Sequence, residues 1–160
     1  NRYENMIDFI YAIPVLSINR EGVTGMGGEF QFKWKPIDTL TFRGSYAYLD
    51  MTDRGGAPIL YRSKHRGQVN VRYQAALVNI QLGIQAWSKQ IYEDFLSGSH
   101  FDFPIRELPE RIIPELILSR EVNGFTGSLH ITNLFDTKYE LIQDFPMPGR
   151  SWQFNLTKTL

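Results

Sequence analysis

From Val78 to Trp87 apolar and polar residues alternate without a break. Val78, Ile80, Leu82, Ile84 and Ala86 fall on one side, and Asn79, Gln81, Gly83, Gln85 and Trp87 on the other. A period of two places the two sets on opposite faces of an extended strand and is incompatible with a helical stripe. The pattern recurs: Phe30, Phe32 and Trp34 against Glu29, Gln31 and Lys33; Phe42, Tyr46 and Tyr48 against Arg43, Ser45 and Ala47; Val69, Val71 and Tyr73 against Asn70, Arg72 and Gln74. Near the C-terminus Phe125, Leu129 and Ile131 alternate with Thr126, Ser128 and His130. Trp152, Phe154, Leu156 and Leu160 then alternate with Ser151, Gln153, Asn155 and Thr159. Ile113 and Ile117 blur the run around Leu116 and Leu118. With Tyr3, Ile7, Phe9 and Tyr11 and the long run from Val15 to Lys35, about eight strands are expected, in an all-β chain.

The spacing of the connections adds orientation. Short turns are expected at Lys35–Asp38, near Ala75–Leu77 and at Asn123-Gly124. Between them lie long connections at Asp50–Lys64, Tyr92–Arg111 and Asp136–Arg150. Counted along an up-and-down sheet, the short turns gather at one end and the long loops at the other, which is the habit of outer-membrane barrels. Several runs also reach the roughly nine to eleven residues that a tilted strand needs to cross a bilayer. Alternation alone fits a lipocalin-like soluble barrel equally well, with its apolar face turned inward.

Composition excludes several alternatives. The 160 residues make one domain or a piece of a larger one. Seventeen basic and seventeen acidic residues cancel, giving no electrostatic case for a nucleic-acid partner. Without cysteine there is neither a disulfide framework nor a thiolate nucleophile or metal site. No run of about eighteen apolar residues could form a membrane helix. A mean hydropathy of −0.27 with 14% aromatics is what an alternating wall averages to. The first residues, NRYENMIDFIY, carry no signal-peptide order and begin within a strand pattern, which suggests a natural start upstream.

The tract ITNLFDTKYE (131 to 140), followed by PMPGRSWQFNL (146 to 156), resembles the end of TonB-dependent outer-membrane receptors. There an N-L-F-D-x-x-Y stretch and a P-x-P-G-R turn precede the closing strand. YENMIDFI, NREGVTGMGGE, LTFRGSYAYLD and RSKHRGQVNVRY are similar to the same family in the same order. The resemblance implies a transmembrane β-barrel of about 22 strands with a plugged lumen. Residues 1–160 would supply its C-terminal part, the plug domain and earlier strands lying outside this sequence. It further implies bacterial outer-membrane uptake of a scarce nutrient, such as a ferric siderophore or vitamin B12. Partners would be outer-membrane lipid, a TonB complex reached through the N-terminal part, and the barrel-assembly machinery reached through the last strand. Trp152, Phe154, Leu156 and Leu160 would face lipid on that strand, whose edge a closed barrel covers. The family's usual C-terminal aromatic is replaced by Leu160. The alternatives are a self-contained eight-stranded membrane barrel without active transport and the lipocalin-like module.

No catalytic constellation appears, so no enzyme is expected. His65, His100 and His130 lack metal-ligand spacing, and no metal or cofactor of the protein's own is expected; the transported ligand would be an iron–siderophore complex or its like. The glycines of GVTGMGG run into a strand rather than a helix, which argues against a phosphate loop. Candidate ligand contacts are the aromatic and basic residues of the long loops: Arg54, Tyr61 and Arg62 on one, and Tyr92, Phe95, Phe101, Phe103 and Arg106 on the next. Glu93 and Asp94, and Glu107 and Glu110 beside Arg106 and Arg111, read as solvated loop charge or as part of a ligand mouth.

Overall fold

The computed structural model describes residues 2–10, 16–94, 97 and 103–158, with side chains at Ile7 and from Gly22 onward. Twelve strands follow in order: β1 (Arg2–Ile10), β2 (Leu16–Ile37), β3 (Leu40–Thr52), β4 (His65–Gln74), β5 (Asn79–Trp87), β6 (Gln90–Glu93), β7 (Ile105–Leu108), β8 (Arg111–Val122), β9 (Phe125–Thr132), β10 (Glu140–Ile142), β11 (Phe145–Pro146) and β12 (Ser151–Lys158). Eight of them make one antiparallel sheet in the order β1-β2-β3-β4-β5-β8-β9-β12, each strand beside its sequence neighbour in the sheet. The sheet is open, with β1 and β12 as its two edges. The remaining strands form two small hairpins, β6–β7 and β10–β11, inside the long connections. The sequence reading took those connections as plain loops, because strands of two to four residues carry too few alternations to register.

The register aligns the apolar residues into rows. Trp34, Phe42, Val71, Leu82, Leu116, Ile131 and Trp152 are successive cross-strand partners, and so are Leu40, Tyr73, Ile80, Leu118, Leu129 and Phe154. On the opposite face the row Thr41, Arg72, Gln81, Ile117, His130 and Gln153 is polar except at Ile117. Ile113 and Ile117 thus stand on the polar face, opposite Gln85 and Gln81. That placement resolves the blurred run around Leu116.

One row also shows the strands to be inclined. Trp34 lies three residues from the short-turn end of β2, whereas Trp152 lies one residue from the long-loop end of β12. A row of backbone hydrogen bonds that climbs from one end of the sheet to the other is the stagger a barrel wall requires.

The apolar face is not a core. Trp34 is 59% and Phe154 72% exposed, and among the described residues the buried apolar side chains are only Val23, Ile59, Tyr92, Leu108, Pro114 and Ile131. Charged residues of the same face keep to its margins: Asp50 and His65 at the loop end, Arg120 and Lys158 at the turn end. Near the turns the face carries aromatics. Trp34 stacks on Phe42 at 5.3 Å, and the Lys158 ammonium lies 5.6 Å from the Phe125 ring centre. Aromatic and basic groups at that height suit a membrane–water boundary.

The β4–β5 and β8–β9 turns fall where the sequence puts them, whereas β2 runs on through Ile37, with a register shift between Trp34 and Ile37, so that its turn is Asp38-Thr39 rather than Lys35–Asp38. Asn123 and Gly124 both adopt positive φ (51° and 76°), the conformation that matches a two-residue hairpin to strand twist. Replacing Gly124 by Ala is expected to destabilise the β8–β9 hairpin by about 1–2 kcal/mol, read as a lower urea midpoint of unfolding. In the β2–β3 turn the Lys35 ammonium donates to Asp38 Oδ1 at 2.8 Å. The hydrogen bond and the charge of Lys35 hold the Asp38 carboxyl below the usual carboxylate range. A depressed folded pKa stabilises above the unfolded value and is lost as pH falls through the depressed one. In an NMR titration Lys35→Ala should return Asp38 to the ordinary range. Overall stability should hardly move, since both groups face solvent.

Candidate functional site

At the loop end, the long connections are tied to one another. The β3–β4 connection begins with Asp53, whose Oδ1 accepts from the backbone N–H of Gly55 and of Ala57, both at 2.9 Å. It reaches the β6–β7 hairpin at Tyr61. The Tyr61 N–H donates to the Ile91 carbonyl at 2.8 Å, its carbonyl accepts from Gln90 Nε2 at 3.1 Å, and its ring stacks on Tyr92 at 6.1 Å. Tyr61 holds φ at 54°, which an aromatic residue adopts only when its surroundings enforce it. Burial, followed by the nearby charge of Asp94, pushes the Tyr92 phenol up.

Asp94 is the carboxylate at the centre of this arrangement. It is buried; Oδ2 accepts from Arg106 Nε at 2.7 Å, and Oδ1 accepts from Gln143 Nε2 at 3.1 Å and from the Ser97 N–H at 3.2 Å. Gln143 belongs to the turn between β10 and β11, so a single side chain joins two long connections. Arg111 braces the base of the same region. Its guanidinium lies 4.9 Å from the Trp87 ring centre and 5.9 Å from that of Tyr139, and Nη1 donates to Gln90 Oε1 at 3.2 Å. Arg111 and Asp94 are both only 4% exposed, so neither is the solvated loop charge of the sequence reading. Their flanking charges hid the burial. Glu110 is exposed, and Glu107 pairs with Lys89 at 2.6 Å.

The NLFD and PGR tracts explain each other physically. Asn133, at φ 48° and buried, accepts from the Thr137 N–H at 2.9 Å and donates to the carbonyls of Thr137 (2.9 Å) and Pro148 (3.3 Å). Asp136 Oδ1 accepts from the Arg150 N–H at 2.7 Å and lies where any side chain at Gly149 would sit. Tyr139 completes the set beneath Arg111. The two tracts therefore form one staple at the entry to β12.

The candidate ligand contacts divide by position. Tyr61 and Tyr92 stack on each other, and Arg106 reaches them through Asp94. Arg62 opens onto a cleft of about 290 Å³ shared with Asp50, Ile59, Lys64, His65 and Lys89. Asp50 Oδ1 forms an ion pair with the Lys64 ammonium at 2.8 Å, which raises the Lys64 pKa. Arg54 lies with its aliphatic stem against Gly22 of β2, and Phe103 is half-buried before β7. Phe95, Phe101 and Leu160 lie outside the described residues. Trp152, Phe154 and Leu156 stand exposed on the apolar face of β12. Sequence reading missed Asp94, Gln143, Arg111 and Tyr139 as a connected group. The one available signal was the mixture of charged and aromatic residues around positions 92–111.

Neither a protein-family model nor a curated protein matches the sequence. Solved structures do match. P. aeruginosa FpvA bound to heterologous pyoverdines superposes with a TM-score of 0.77 at 13% identity over 96% of this chain and 23% of that one. The fold is that of a TonB-dependent receptor barrel. The ferric-catecholate import receptor Fiu from K12 E. coli gives 0.71 at 16% identity over 94% of this chain and 23% of that one. The copper transporter OprC gives 0.71 at 15% identity over 94% and 25%. The chain thus spans about a quarter of the receptors it matches. In this fold the sheet is a segment of barrel wall, with long, cross-tied loops at one end and tight turns at the other.

Proposed function

We propose that residues 1–160 form the C-terminal wall segment of a bacterial outer-membrane receptor that takes up a scarce nutrient as a metal complex, with a ferric siderophore as the first candidate. The supporting observation is the open, staggered sheet with unburied apolar rows on one face and polar rows on the other. Such a sheet satisfies its backbone by closing with further strands, oily side outward. The pyoverdine, catecholate and copper receptors that share the fold support metal-complex uptake as the class. Energy would come from a TonB complex acting through other parts of the receptor. Assembly would proceed through β12, with Trp152, Phe154 and Leu156 against lipid. The loop aromatics and arginines (Tyr61, Arg62, Tyr92 and Arg106, with Arg54, Phe95, Phe101 and Phe103 around them) would line the ligand's point of entry. A closed eight-stranded barrel is disfavoured, because β1 and β12 remain separate edges. A lipocalin is disfavoured by the exposed apolar rows.

The test has two readouts. The protein carrying this chain should need detergent for extraction and show heat-modifiable gel mobility, and its loss should impair growth when iron is scarce and chelated. Detergent-independent solubility would refute the membrane reading. Unchanged growth on every metal complex tried would refute uptake while leaving the membrane reading standing.

A further inference from the structure

Asp50, His65 and Ser88 line the cleft onto which Arg62 opens. On β3 Asp50 shares its face with Phe42, Tyr46 and Tyr48, and on β4 His65 shares its face with Val69 and Val71. Ser88 continues the alternation of Leu82, Ile84 and Ala86 just past β5. All three residues therefore stand at the loop-end margin of the apolar face, and the cleft opens on the outer flank of the loops. β3, β4 and β5 are inner strands, with β1 and β2 on one side and β8, β9 and β12 on the other. Lys89 and Ile91 complete the cleft from the start of the β6–β7 hairpin. Its walls are thus this chain's own, and further strands joining the sheet at its edges would leave it uncovered.

Two kinds of side chain meet there. Leu49, Met51, Ile59 and Ile91 supply an apolar lining, and Arg62, Lys64 and Lys89 supply three cations. Two acids answer them: Asp50 holds Lys64 at 2.8 Å, and Glu107 holds Lys89 at 2.6 Å. Arg62 is exposed, and among the described residues no carboxylate pairs with it. One positive charge is left in excess. Beside the cleft, on the apolar face, Tyr46 and Tyr48 flank His65. The Tyr46 hydroxyl and His65 Nδ1 are 2.7 Å apart, and the Tyr48 ring centre lies 5.1 Å from that of His65. Such a shelf of polar-tipped rings fits the boundary between hydrocarbon and water. A free anion has no use for the apolar lining, and a soluble polypeptide does not meet a surface set at the edge of hydrocarbon. An amphiphile with an anionic head uses both.

We propose that this cleft holds the phosphate headgroup of an outer-leaflet lipid. Arg62 grips the phosphate, its guanidinium matching two oxygens at once, and Lys64 and Lys89 add charge beside it. The acyl chains run down the apolar face past Tyr46 and Val69, both exposed there. The assignment rests on the membrane orientation of the uptake reading and goes beyond it by naming a lipid chemistry and its place on the wall. It gives Arg62, which that reading groups with the entry residues, a partner on the outer flank.

The experiment incubates the whole protein, in a neutral detergent, with phosphatidic acid, with phosphatidylcholine or with water-soluble glycerol phosphate. Native mass spectrometry counts the molecules retained by the wild type and by Arg62→Gln, Asp50→Asn and Arg66→Gln. Arg66 follows His65 but, paired with Ala47 and Trp87, belongs to the polar face, so its loss removes the same charge from the other side of the wall. Phosphatidic acid should be retained in preference to phosphatidylcholine. Arg62→Gln should lower that retention about tenfold and Arg66→Gln should leave it unchanged, while Asp50→Asn, which removes the anion beside Lys64, should raise it. Equal losses in Arg62→Gln and Arg66→Gln would reduce the effect to overall charge and overturn the site, as would equal retention of the two lipids. Glycerol phosphate bound as tightly as phosphatidic acid would overturn the lipid assignment. A protein that needs detergent yet shows no lipid preference loses this site and keeps the membrane reading, whereas one soluble without detergent loses both.

Discussion

Leu82→Arg is expected to cost about 2–4 kcal/mol of stability in a bilayer, whereas Gln85→Arg, three residues further along the same strand, should fall within about 0.5 kcal/mol. The two positions differ in the face they occupy. Leu82 stands between Val71 and Leu116 in the longest apolar row, midway along β5, which the proposed membrane orientation puts deepest in hydrocarbon. Gln85 stands between Gln68 and Ile113 on the polar face. Urea-induced unfolding of the protein in lipid vesicles measures the difference directly, and the heat-modifiable fraction in detergent offers a quicker version. Equal costs, or a larger cost at Gln85, would mean that the faces are assigned the wrong way round. Leu82→Phe serves as the control, since it keeps the apolar contact with lipid.

Asn133→Ala should destabilise the connection between β9 and β12 by about 2–4 kcal/mol. It removes three hydrogen bonds from a buried site, each worth about 1 kcal/mol net, and puts alanine at a positive φ that asparagine tolerates better. Asn133→Asp is expected to be no milder. Its carboxylate can still accept from the Thr137 N–H, but it would face the carbonyls of Thr137 and Pro148 with no proton to donate. Phe135, in the same tract but 70% exposed, should tolerate Ala with little change. Hydrogen exchange over residues 133–150 reads all three variants. Undiminished protection in Asn133→Ala would show that the tract is held by something other than this side chain.

These contrasts mirror what a sequence can and cannot disclose. The alternation of Val78–Trp87 is local, so strand and face follow from adjacent residues, and Asn123-Gly124 announces its turn by the backbone it permits. The order of short and long connections then gives the handing of the two ends without any tertiary contact. Loop structure depends on partners far apart in the chain. Gln143 meets Asp94 across 49 positions, and Arg111 meets Gln90 across 21. Nothing in the neighbourhood of Asp94 distinguishes a buried acceptor from the half-buried Glu93 beside it. The cations Lys33 and Arg43 were legible as polar-face residues, but their direct opposition appears only once the β2–β3 register is known.

The bond between Asp94 and Gln143 has a dynamic consequence. Flaps anchored separately would each open at their own rate, and a visitor touching one would leave the others indifferent. Here the second and third flaps share a carboxylate, and the first is pinned to the second through Tyr61 and Ile91. Displacing any one of these connections therefore breaks a hydrogen bond to its neighbour, so a substitution at Asp94 or Tyr61 is expected to raise hydrogen exchange in the adjoining connection as well as in its own.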